Sequence, residues 1–302
     1  MTTTATNGFC KGRVVAITGA GNGLGRGYAL AFAAEGAQVV VNDVATVPDS
    51  GGSASRAVVD EIVAAGGQAV AHDEDIASWD GARSLVEHAV ESFGGLDVMV
   101  NNAGILRDRG LAVMSEQEWD SVVAVHLKGT FGTCRHAAAY WRDRSKQGAV
   151  NDARIINTSS PSGLFGNPGQ SNYGAAKAGI AALTVIAAME LERYGVTVNA
   201  IAPTARTQLT ERFMREAPRT GFDRFAPENI APLVVWLGSS ASSAVTGRVF
   251  GAVGGKISVL EGGVNGPTVD RDGRWTAAEL SDVIGDLVKR AAPRSTMSGD
   301  RP

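Results

Sequence analysis

The sequence predicts a single α/β domain built on a doubly wound parallel sheet of seven strands, with helices on both faces. Short apolar runs rich in valine and isoleucine alternate with longer segments of helical period. No linker divides the chain, and its 302 residues suffice for one large domain with a sizeable core. Glycine accounts for 38 residues without a Gly-X-Y period, which indicates many tight turns and close backbone approaches.

The predicted strands are short and apolar enough to be buried on both faces of a sheet. They lie at residues 13–18, 37–42, 68–72, 96–101, 154–158, 196–201 and 248–253. Strands that alternate with helices form a parallel sheet, because each helical crossover returns the chain to the same edge.

Helical segments separate these strands. The first ends at Gly36 and the second at the pair Gly66-Gly67, and glycine is common just beyond a helix C-terminus. The predicted helices lie at residues 23–36, 53–65, 79–93, 115 to about 142, 170–193 and 227–237.

Two stretches stand outside this alternation. Residues 204–224, just after the sixth strand, are polar and contain five arginines and three acids. The core spans about residues 12–264, and residues 265–302 form a C-terminal extension of the same domain. Within the extension, residues 276–289 have the apolar spacing of an amphipathic helix, and the final residues are expected to be disordered.

Composition excludes several classes of protein. The formal net charge of −3 argues against a nucleic-acid or anionic-membrane partner. Two cysteines cannot build a disulfide framework, and the four histidines lack HExxH spacing, so we expect no metal site. The N-terminus lacks the pattern of a signal peptide. The longest strongly apolar helical run, residues 178–189, is shorter than the roughly 20 residues that span a bilayer, so we expect a soluble, cytoplasmic protein.

A glycine-rich turn joins the first strand to the first helix. It has the spacing TGxxxGxG, in which glycines let backbone N–H groups at the helix N-terminus approach a pyrophosphate. A tight turn with no ligand is the alternative, but the strand and helix on either side favour a nucleotide site. The candidate cofactor-binding residues here are Thr18, Gly19, Asn22, Gly23, Leu24 and Gly25.

Asp43 ends the second strand. A carboxylate there can accept hydrogen bonds from the adenosine ribose and would repel a 2′-phosphate. No Lys or Arg follows Asp43 until Arg56, so NAD is favoured over NADP, with a solvated turn aspartate as the alternative. After the third strand, Asp75 and the adjacent Ile76 are weaker candidates for the adenine edge.

Tyr173 and Lys177 stand four residues apart, on one face of a predicted helix. A nearby ammonium group and a positive nicotinamide ring would stabilise a phenolate, so we expect the pKa of Tyr173 to be lowered. Such a tyrosine can take a proton from an alcohol while hydride leaves the adjacent carbon. Ser160, just past a strand end, can add a hydroxyl group to the same substrate oxygen, and it lacks the GxSxG setting of a hydrolase nucleophile.

Together with NNAG at residues 101–104, these motifs resemble those of the short-chain dehydrogenase/reductases over about residues 12–264. The resemblance implies a Rossmann-type fold with seven strands, in agreement with the predicted elements. It implies that Asn102, Ala103 and Gly104 frame the cofactor pocket. It also implies that Lys177 binds the nicotinamide ribose and that Pro203, after the sixth strand, lies near the cofactor.

Within the family, the chain is similar to the (3R)-hydroxyacyl-CoA dehydrogenase domains of type 2 peroxisomal multifunctional enzymes and to bacterial single-domain relatives. The motifs that carry this likeness are VVVND, NNAGILRDR, VHLKGTF, GNPGQSNYGAAK and APLVVWL. His126 stands where most members have an asparagine that supports a proton relay. It either shares that catalytic role or is a helix histidine at a kink. The usual Pro-Gly after strand six is Pro203-Thr204 here, and no Ser-Lys-Leu ending is present.

These features predict an NAD-dependent enzyme that interconverts a secondary alcohol and a ketone, with a 3-hydroxyacyl-CoA or a hydroxysteroid as substrate. An NADPH-dependent 3-oxoacyl-ACP reductase is the alternative within the family, and a non-catalytic NAD-binding sensor is the alternative outside enzymes. The arginines of the 204–224 stretch either meet coenzyme A phosphates or form a solvated lid. They are Arg206, Arg212, Arg215, Arg219 and Arg224.

The helix that carries Tyr173 is apolar nearly all round from residue 175 to residue 189. One face packs on the sheet, and the other would be exposed in a monomer. We therefore expect a homodimer or a homotetramer, formed through this helix and the long helix at residues 115–142. The alternative is that the helix of the C-terminal extension covers the apolar face.

Overall fold

The computed structural model describes residues 8–47, 51–211, 214, 216, 218, 220–263, 265–270, 272, 275–293 and 295–300. One sheet forms its centre, with the strand order β3-β2-β1-β4-β5-β6-β7-β8. The strands are β1 (Val14–Thr18), β2 (Gln38–Asn42), β3 (Gln68–His72), β4 (Val98–Asn101), β5 (Ala153–Thr158), β6 (Val196–Pro203), β7 (Val249–Val253) and β8 (Lys256–Leu260).

The first seven strands are parallel, which confirms the predicted doubly wound sheet, but the prediction of seven strands was one short. β8 pairs antiparallel with β7 through a two-residue turn at Gly254-Gly255, where Gly254 has a φ of +56°. Such a turn requires a positive φ and suits a hairpin, so two glycines were the available signal for this strand.

The helices cover both faces of the sheet. They are α1 (Gly23–Ala34), α2 (Ala54–Ala64), α3 (Trp79–Phe93), α4 (Glu116–Val123), α5 (Gly129–Lys146), α6 (Pro161–Phe165), α7 (Ser171–Leu191), α8 (Ala231–Gly238) and α9 (Ala277–Arg290). The predicted long helix at residues 115–142 is α4 and α5, joined by a π-helical turn at Ala124–Lys128. Sequence reasoning missed α6, which is only five residues long.

Alternate residues of each strand serve two different cores. On one face Val15 and Ile17 of β1 pack with Phe32 of α1. On the other face Val14 and Ala16 belong to the cluster around Trp141 of α5, whose indole Nε1 donates to the carbonyl of Leu96 at 2.7 Å. Full burial on both faces explains why the central strands have continuous apolar sequences.

The helix α7 and the turn after it, Ser171–Tyr194, are long and apolar enough to cross a membrane by length and composition. In the fold, however, α7 packs along β6 and buries Asn172 and Lys177. Lys177 donates to the carbonyl of Thr158 in β5, and Thr184 accepts from Asn157 of the same strand, so α7 is a core helix of the domain.

The strand order reverses between β1 and β4. Connections leave these strands toward opposite sides, so a crevice opens beyond their carboxyl ends, where open α/β sheets bind ligands.

Candidate active site

A cleft of about 1160 Å³ lies along the carboxyl edge of the sheet. Of the predicted site residues, only Thr18 and Gly25 do not line it. Those that do are Gly19, Asn22, Gly23, Leu24, Asp43, Asp75, Ile76, Asn102, Ala103, Gly104, His126, Ser160, Tyr173, Lys177 and Pro203.

Gly19 and Gly25 of the glycine-rich turn lie where there is no room for a side chain. A Cβ at Gly25 would collide with the carbonyl oxygen of Gly19 and would lie 2.6 Å from Nδ2 of Asn102. Gly19 has a φ of +63°, and a Cβ there would lie 2.7 Å from Cα of Ala103. The turn therefore packs directly against the end of β4 and leaves its backbone beside the N-terminus of α1, a cradle that suits a pyrophosphate.

Hydrogen bonds hold the turn and the end of β4 together. The Thr18 hydroxyl accepts from the backbone N–H groups of Asn102 and Ala103 at 2.9 and 3.0 Å. The Asn102 amide donates to the carbonyls of Thr18 and Gly19 at 3.1 and 3.0 Å. Thr18 and Asn102 thus hold the glycine-rich turn in place.

Asp43 lies beside the cradle. Its carboxylate accepts from the N–H of Gly21 at 2.8 Å and from the N–H of Ala45 at 2.9 Å, so its direction is set before any ligand binds. Within the described residues, the cation nearest along the chain, Arg56, lies beside Asp73 at 3.7 Å. Asp75 is exposed at the rim and accepts from the N–H of Ala77 at 2.9 Å.

Tyr173 and Lys177 lie on the same face of α7, as the spacing predicted. The Lys177 ammonium nitrogen donates to the carbonyl of Thr158, at the end of β5, at 2.5 Å, and lies 5.6 Å from the centroid of the Tyr173 ring. Ser160 begins α6, where its hydroxyl accepts from the N–H of Ser162 at 3.2 Å. α6 packs against α7 at Gly163, where a Cβ would lie 2.6 Å from the backbone nitrogen of Ala178. This contact brings Ser160 to Tyr173.

Without a bound cofactor, whose positive ring was part of the expected effect, the pKa of Tyr173 is not lowered. Burial raises the pKa of Tyr173, and a hydrogen bond with the Ser160 hydroxyl opposes that rise only in part. Burial also lowers the pKa of Lys177 to about 7, so its positive charge is weakened near neutral pH. Without a ligand, the tyrosine is therefore held in its protonated form.

His126 lies in the π-helical turn between α4 and α5. Such turns are frequent at functional sites. Its Nε2 lies 3.0 Å from the backbone nitrogen and 2.8 Å from the carbonyl oxygen of Ile105. Its ring contacts the Tyr173 ring edge-on at 5.1 Å, and Gly104 leaves the space that the imidazole occupies. Burial lowers the pKa of His126 to about 3, so the imidazole is neutral.

Sequence reasoning missed Asn172. This fully buried amide donates to the carbonyls of Arg107 and Glu118, at 2.9 and 3.0 Å, and its oxygen accepts from the N–H of Tyr173 at 2.7 Å. It therefore fixes the first turn of α7 against the loop after β4. No local pattern marks an asparagine for this role.

At the cleft, the hydroxyl oxygen of Thr158 and Nδ1 of His126 are buried without a hydrogen-bond partner within the described structure. Buried polar groups are normally satisfied, so both atoms fit a site completed by a ligand or by water. Together with the cradle, they show that the residues present suit a dinucleotide.

The sequence predicts disorder for the final residues of the chain, of which the structure describes residues 295–300. They form a turn in which the N–H of Thr296 donates to the carbonyl of Asp300 at 2.8 Å. Met297, Ser298 and Asp300 line the cleft, and a Cβ at Gly299 would lie 3.2 Å from the Phe165 ring. The turn therefore packs against α6.

The arginines after β6 have different surroundings. Arg206 forms an ion pair with Asp223 at 2.6 Å, which opposes a role in binding coenzyme A. Arg224 lines the cleft. Arg212, Arg215 and Arg219 lie outside the described residues. Among the residues that are described, no group of three or more His, Cys, Asp or Glu could hold a metal ion.

The fold and the site together define a dinucleotide-dependent oxidoreductase, with a glycine-rich cradle at one end of the cleft and a serine, a tyrosine and a lysine at the other. The short chain dehydrogenase family model matches residues 13–217, and the chain belongs to that family. Its members bind NAD or NADP in this fold.

Similar proteins agree with this assignment. Hydroxyacyl-CoA dehydrogenase ChsB1 of Mycobacterium tuberculosis is 45% identical over an alignment 302 residues long, which covers 95% of this chain and 92% of that protein. A crystal structure of a short chain dehydrogenase from Mycobacterium avium is 59% identical, has a TM-score of 0.88, and matches 95% of this chain and 98% of its own.

Two further relatives have other names. Peroxisomal multifunctional enzyme type 2 of Drosophila melanogaster is 47% identical over 229 residues, 75% of this chain but 36% of that longer protein. The 3-oxoacyl-[acyl-carrier-protein] reductase FabG of Thermotoga maritima is 37% identical over 254 residues, 82% of this chain and 98% of that protein.

Replacing Gly25 by alanine tests the cradle. We expect Gly25→Ala to lose dinucleotide binding by at least about tenfold, about 1.4 kcal/mol, because the new methyl group collides with Gly19 and displaces the turn. Gly27→Ala, on the same helix, is the matched control. A Cβ at Gly27 would meet no atom within 4 Å outside the backbone of its own helix. Titration of protein fluorescence with NADH measures both. Equal affinities in the two variants would contradict the cradle.

Proposed function

We propose that the protein is an NAD-dependent dehydrogenase that interconverts 3-hydroxyacyl-CoA and 3-oxoacyl-CoA thioesters. The observation that carries this proposal is one cleft with Asp43 beside the cofactor cradle and Ser160, Tyr173 and Lys177 farther along. The name of the Mycobacterium tuberculosis relative, a hydroxyacyl-CoA dehydrogenase, supports the substrate class. A hydroxysteroid is the second candidate, because Ile105, Leu106 and Phe165 offer it an apolar wall.

The nicotinamide ring of the bound cofactor would supply the hydride acceptor. The Ser160 hydroxyl would donate a hydrogen bond to the substrate oxygen and hold it next to the tyrosine. Tyr173 would take the hydroxyl proton during oxidation and return it during reduction. Lys177, held by the Thr158 carbonyl, would keep positive charge beside the tyrosine and so stabilise its deprotonated form.

His126 would act by position. Its neutral ring braces Tyr173 from one side and the backbone at Ile105 from the other, so it keeps the tyrosine facing the cleft. Asn172 also positions the tyrosine, because its side chain bonds both the carbonyl of Arg107 and the backbone N–H of Tyr173. Precise placement of this kind contributes to rate because reacting groups must meet in a narrow range of geometry.

The preference for NAD rests on charge. Among the described residues of the cleft, the cations are Lys177 on α7, Arg224 in the loop before α8 and Lys256 on β8, and none of them belongs to β2 or to the segment after it that carries Asp43. A 2′-phosphate would meet the Asp43 carboxylate without a neutralising cation. The alternative, an NADPH-dependent 3-oxoacyl-ACP reductase, has support from the Thermotoga maritima relative but requires such a cation.

We expect kcat/KM with NAD to exceed that with NADP by about 100-fold or more, and Asp43→Asn to narrow the ratio by about tenfold, or about 1.4 kcal/mol. Asparagine keeps an oxygen for the N–H of Gly21 and removes the charge. Asp60→Asn, on the exposed side of α2, is the control and should leave the ratio unchanged. Steady-state kinetics with both cofactors decide the matter, and equal efficiencies in the wild type would refute the preference.

Tyr173→Phe removes the proton acceptor and retains the ring. We expect kcat to fall by roughly 10²- to 10⁴-fold, the usual contribution of general acid–base catalysis, while the Kd for NADH stays within about twofold. Tyr140→Phe on α5 is the control, because its hydroxyl lies 3.4 Å from Arg144, outside the cleft. A Tyr173→Phe enzyme that retained a tenth of the wild-type kcat would show that another group moves the proton.

A wild-type protein that binds NADH and turns over no alcohol would instead support the alternative of a non-catalytic NAD-binding sensor.

We also propose that the chain assembles through α7. A stripe of apolar side chains stays exposed along this helix: Ala175, Ala178, Ala182, Val185, Ile186 and Met189. Ile186 is 53% and Met189 77% exposed with α9 in place, so in the described structure the C-terminal extension does not cover them. An isologous contact between two copies would bury the stripe.

Light scattering tests this assembly. We expect a mass of at least two 31.2 kDa chains at micromolar concentration. Ile186→Glu should shift it toward one chain, because it would place a charge at the centre of the contact. Val150→Glu is the control, at a 90% exposed position outside the stripe. A wild-type mass near 31 kDa would show that the protein is a monomer.

A further inference from the structure

The cleft has an uneven distribution of charge. Among its described lining residues, Lys177 is buried at the catalytic end, and the other two cations, Arg224 and Lys256, stand at the rim formed by the loop before α8 and by β8. Within the described structure, neither forms an ion pair, whereas Arg206 and Arg154 both have carboxylate partners. We call Arg224 and Lys256 the basic rim.

The loop that carries Arg224 is anchored on both sides of it. Asp223 pairs with Arg206 and also accepts from the N–H of Phe225 at 3.0 Å, while the carbonyl of Phe225 accepts from the N–H of Arg206 at 2.7 Å. The neighbouring acid is therefore neutralised within the loop, and the Arg224 guanidinium remains available to a ligand.

The hairpin between β7 and β8 brings the two cations together. A Cβ at Gly254 would lie 2.8 Å from Cγ of Arg224, so the turn packs directly on the arginine side chain. Lys256 follows two residues later as the first residue of β8, at the edge of the sheet where the cleft opens. The glycine turn thus both creates the extra strand and sets the spacing of the rim.

The basic rim lies far from the glycine-rich cradle in the sheet order. The cradle and Asp43 belong to β1 and β2, whereas Lys256 belongs to β8, six positions away from β2 in the sheet order. Between them, Ser160 follows β5, three positions from β8, or about 14 Å at the usual strand spacing. A substrate whose reactive carbon lies at Ser160 and Tyr173 would reach the rim only with a long appended arm.

We propose that Arg224 and Lys256 bind the phosphate groups of coenzyme A, with the pantetheine arm lying along the cleft between the rim and Ser160. This inference rests on the proposed function and adds the residues that recognise the non-reacting end of the substrate. Guanidinium and ammonium groups are the natural partners of phosphate oxygens. The two acids near the substrate end are occupied: Asp108 accepts from Gln170 at 3.1 Å, and Asp300 accepts from the Ser298 hydroxyl at 2.6 Å.

The test compares two thioesters of the same (R)-3-hydroxyacyl group, one with coenzyme A and one with N-acetylcysteamine, which lacks phosphates. For the Arg224→Gln/Lys256→Gln double variant we expect kcat/KM with the coenzyme A ester to fall at least tenfold, mainly through KM. The value with the N-acetylcysteamine ester and the Kd for NADH should stay within about twofold. Raising the salt concentration should weaken use of the coenzyme A ester in the wild type and have little effect in the double variant.

Arg248→Gln is the matched control. It removes one charge from an exposed arginine just before β7, at the amino ends of the parallel strands, whereas the cleft lies at their carboxyl ends. An equal loss with both esters, or no loss with either, overturns the basic rim as a phosphate site. In those cases the proposed function stands, because the wild type still oxidises the coenzyme A ester. A wild type that oxidises neither ester while it oxidises a hydroxysteroid overturns both the rim and the proposed substrate.

Discussion

The architecture of the site depends on the backbone contact between the turn after β1 and the end of β4. Gly19 and Gly25 lack side chains where the two segments meet, and the Thr18 hydroxyl and Asn102 amide satisfy the backbone groups that the contact buries. Because this contact lies where the strand order reverses, it places the mouth of the crevice beside the N-terminus of α1. Both the cradle and the position of the catalytic residues relative to it follow from that junction.

A buried polar network extends this order to the catalytic helix. Asn101 of β4 donates to Asn157 of β5 at 2.9 Å, and Asn157 donates to Thr184 of α7 at 3.0 Å. Thr133 of α5 donates to Asn101 at 2.6 Å. Polar groups in a core are costly when unpaired, so their mutual satisfaction sets the register of α5 and α7 against the sheet. The register of α7 in turn aims Tyr173 and Lys177.

Burial has different consequences for the ionisable groups of the site. It raises the pKa of Tyr173, lowers that of Lys177 to about 7 and lowers that of His126 to about 3, so these three side chains together carry little charge in the free protein. The other charged side chains that line the cleft in the described structure are Asp43, Asp75, Asp108, Asp300, Arg224 and Lys256. A low-charge centre makes the tyrosine sensitive to positive charge brought by a ligand.

The sequence by itself determined the features that depend on neighbours within a few positions. These features are local patterns, and the fold agrees with each of them: the alternation of strands and helices, the TGxxxGxG turn, Asp43 at a strand end, and the four-residue spacing of Tyr173 and Lys177. The tertiary structure alone decided the roles of Asn172 and Gly163, the exposure of the apolar stripe on α7 and the meeting of Arg224 with the β7–β8 turn. Each of these depends on segments distant in the chain, and no short-range pattern encodes which surfaces will face each other once the sheet has formed.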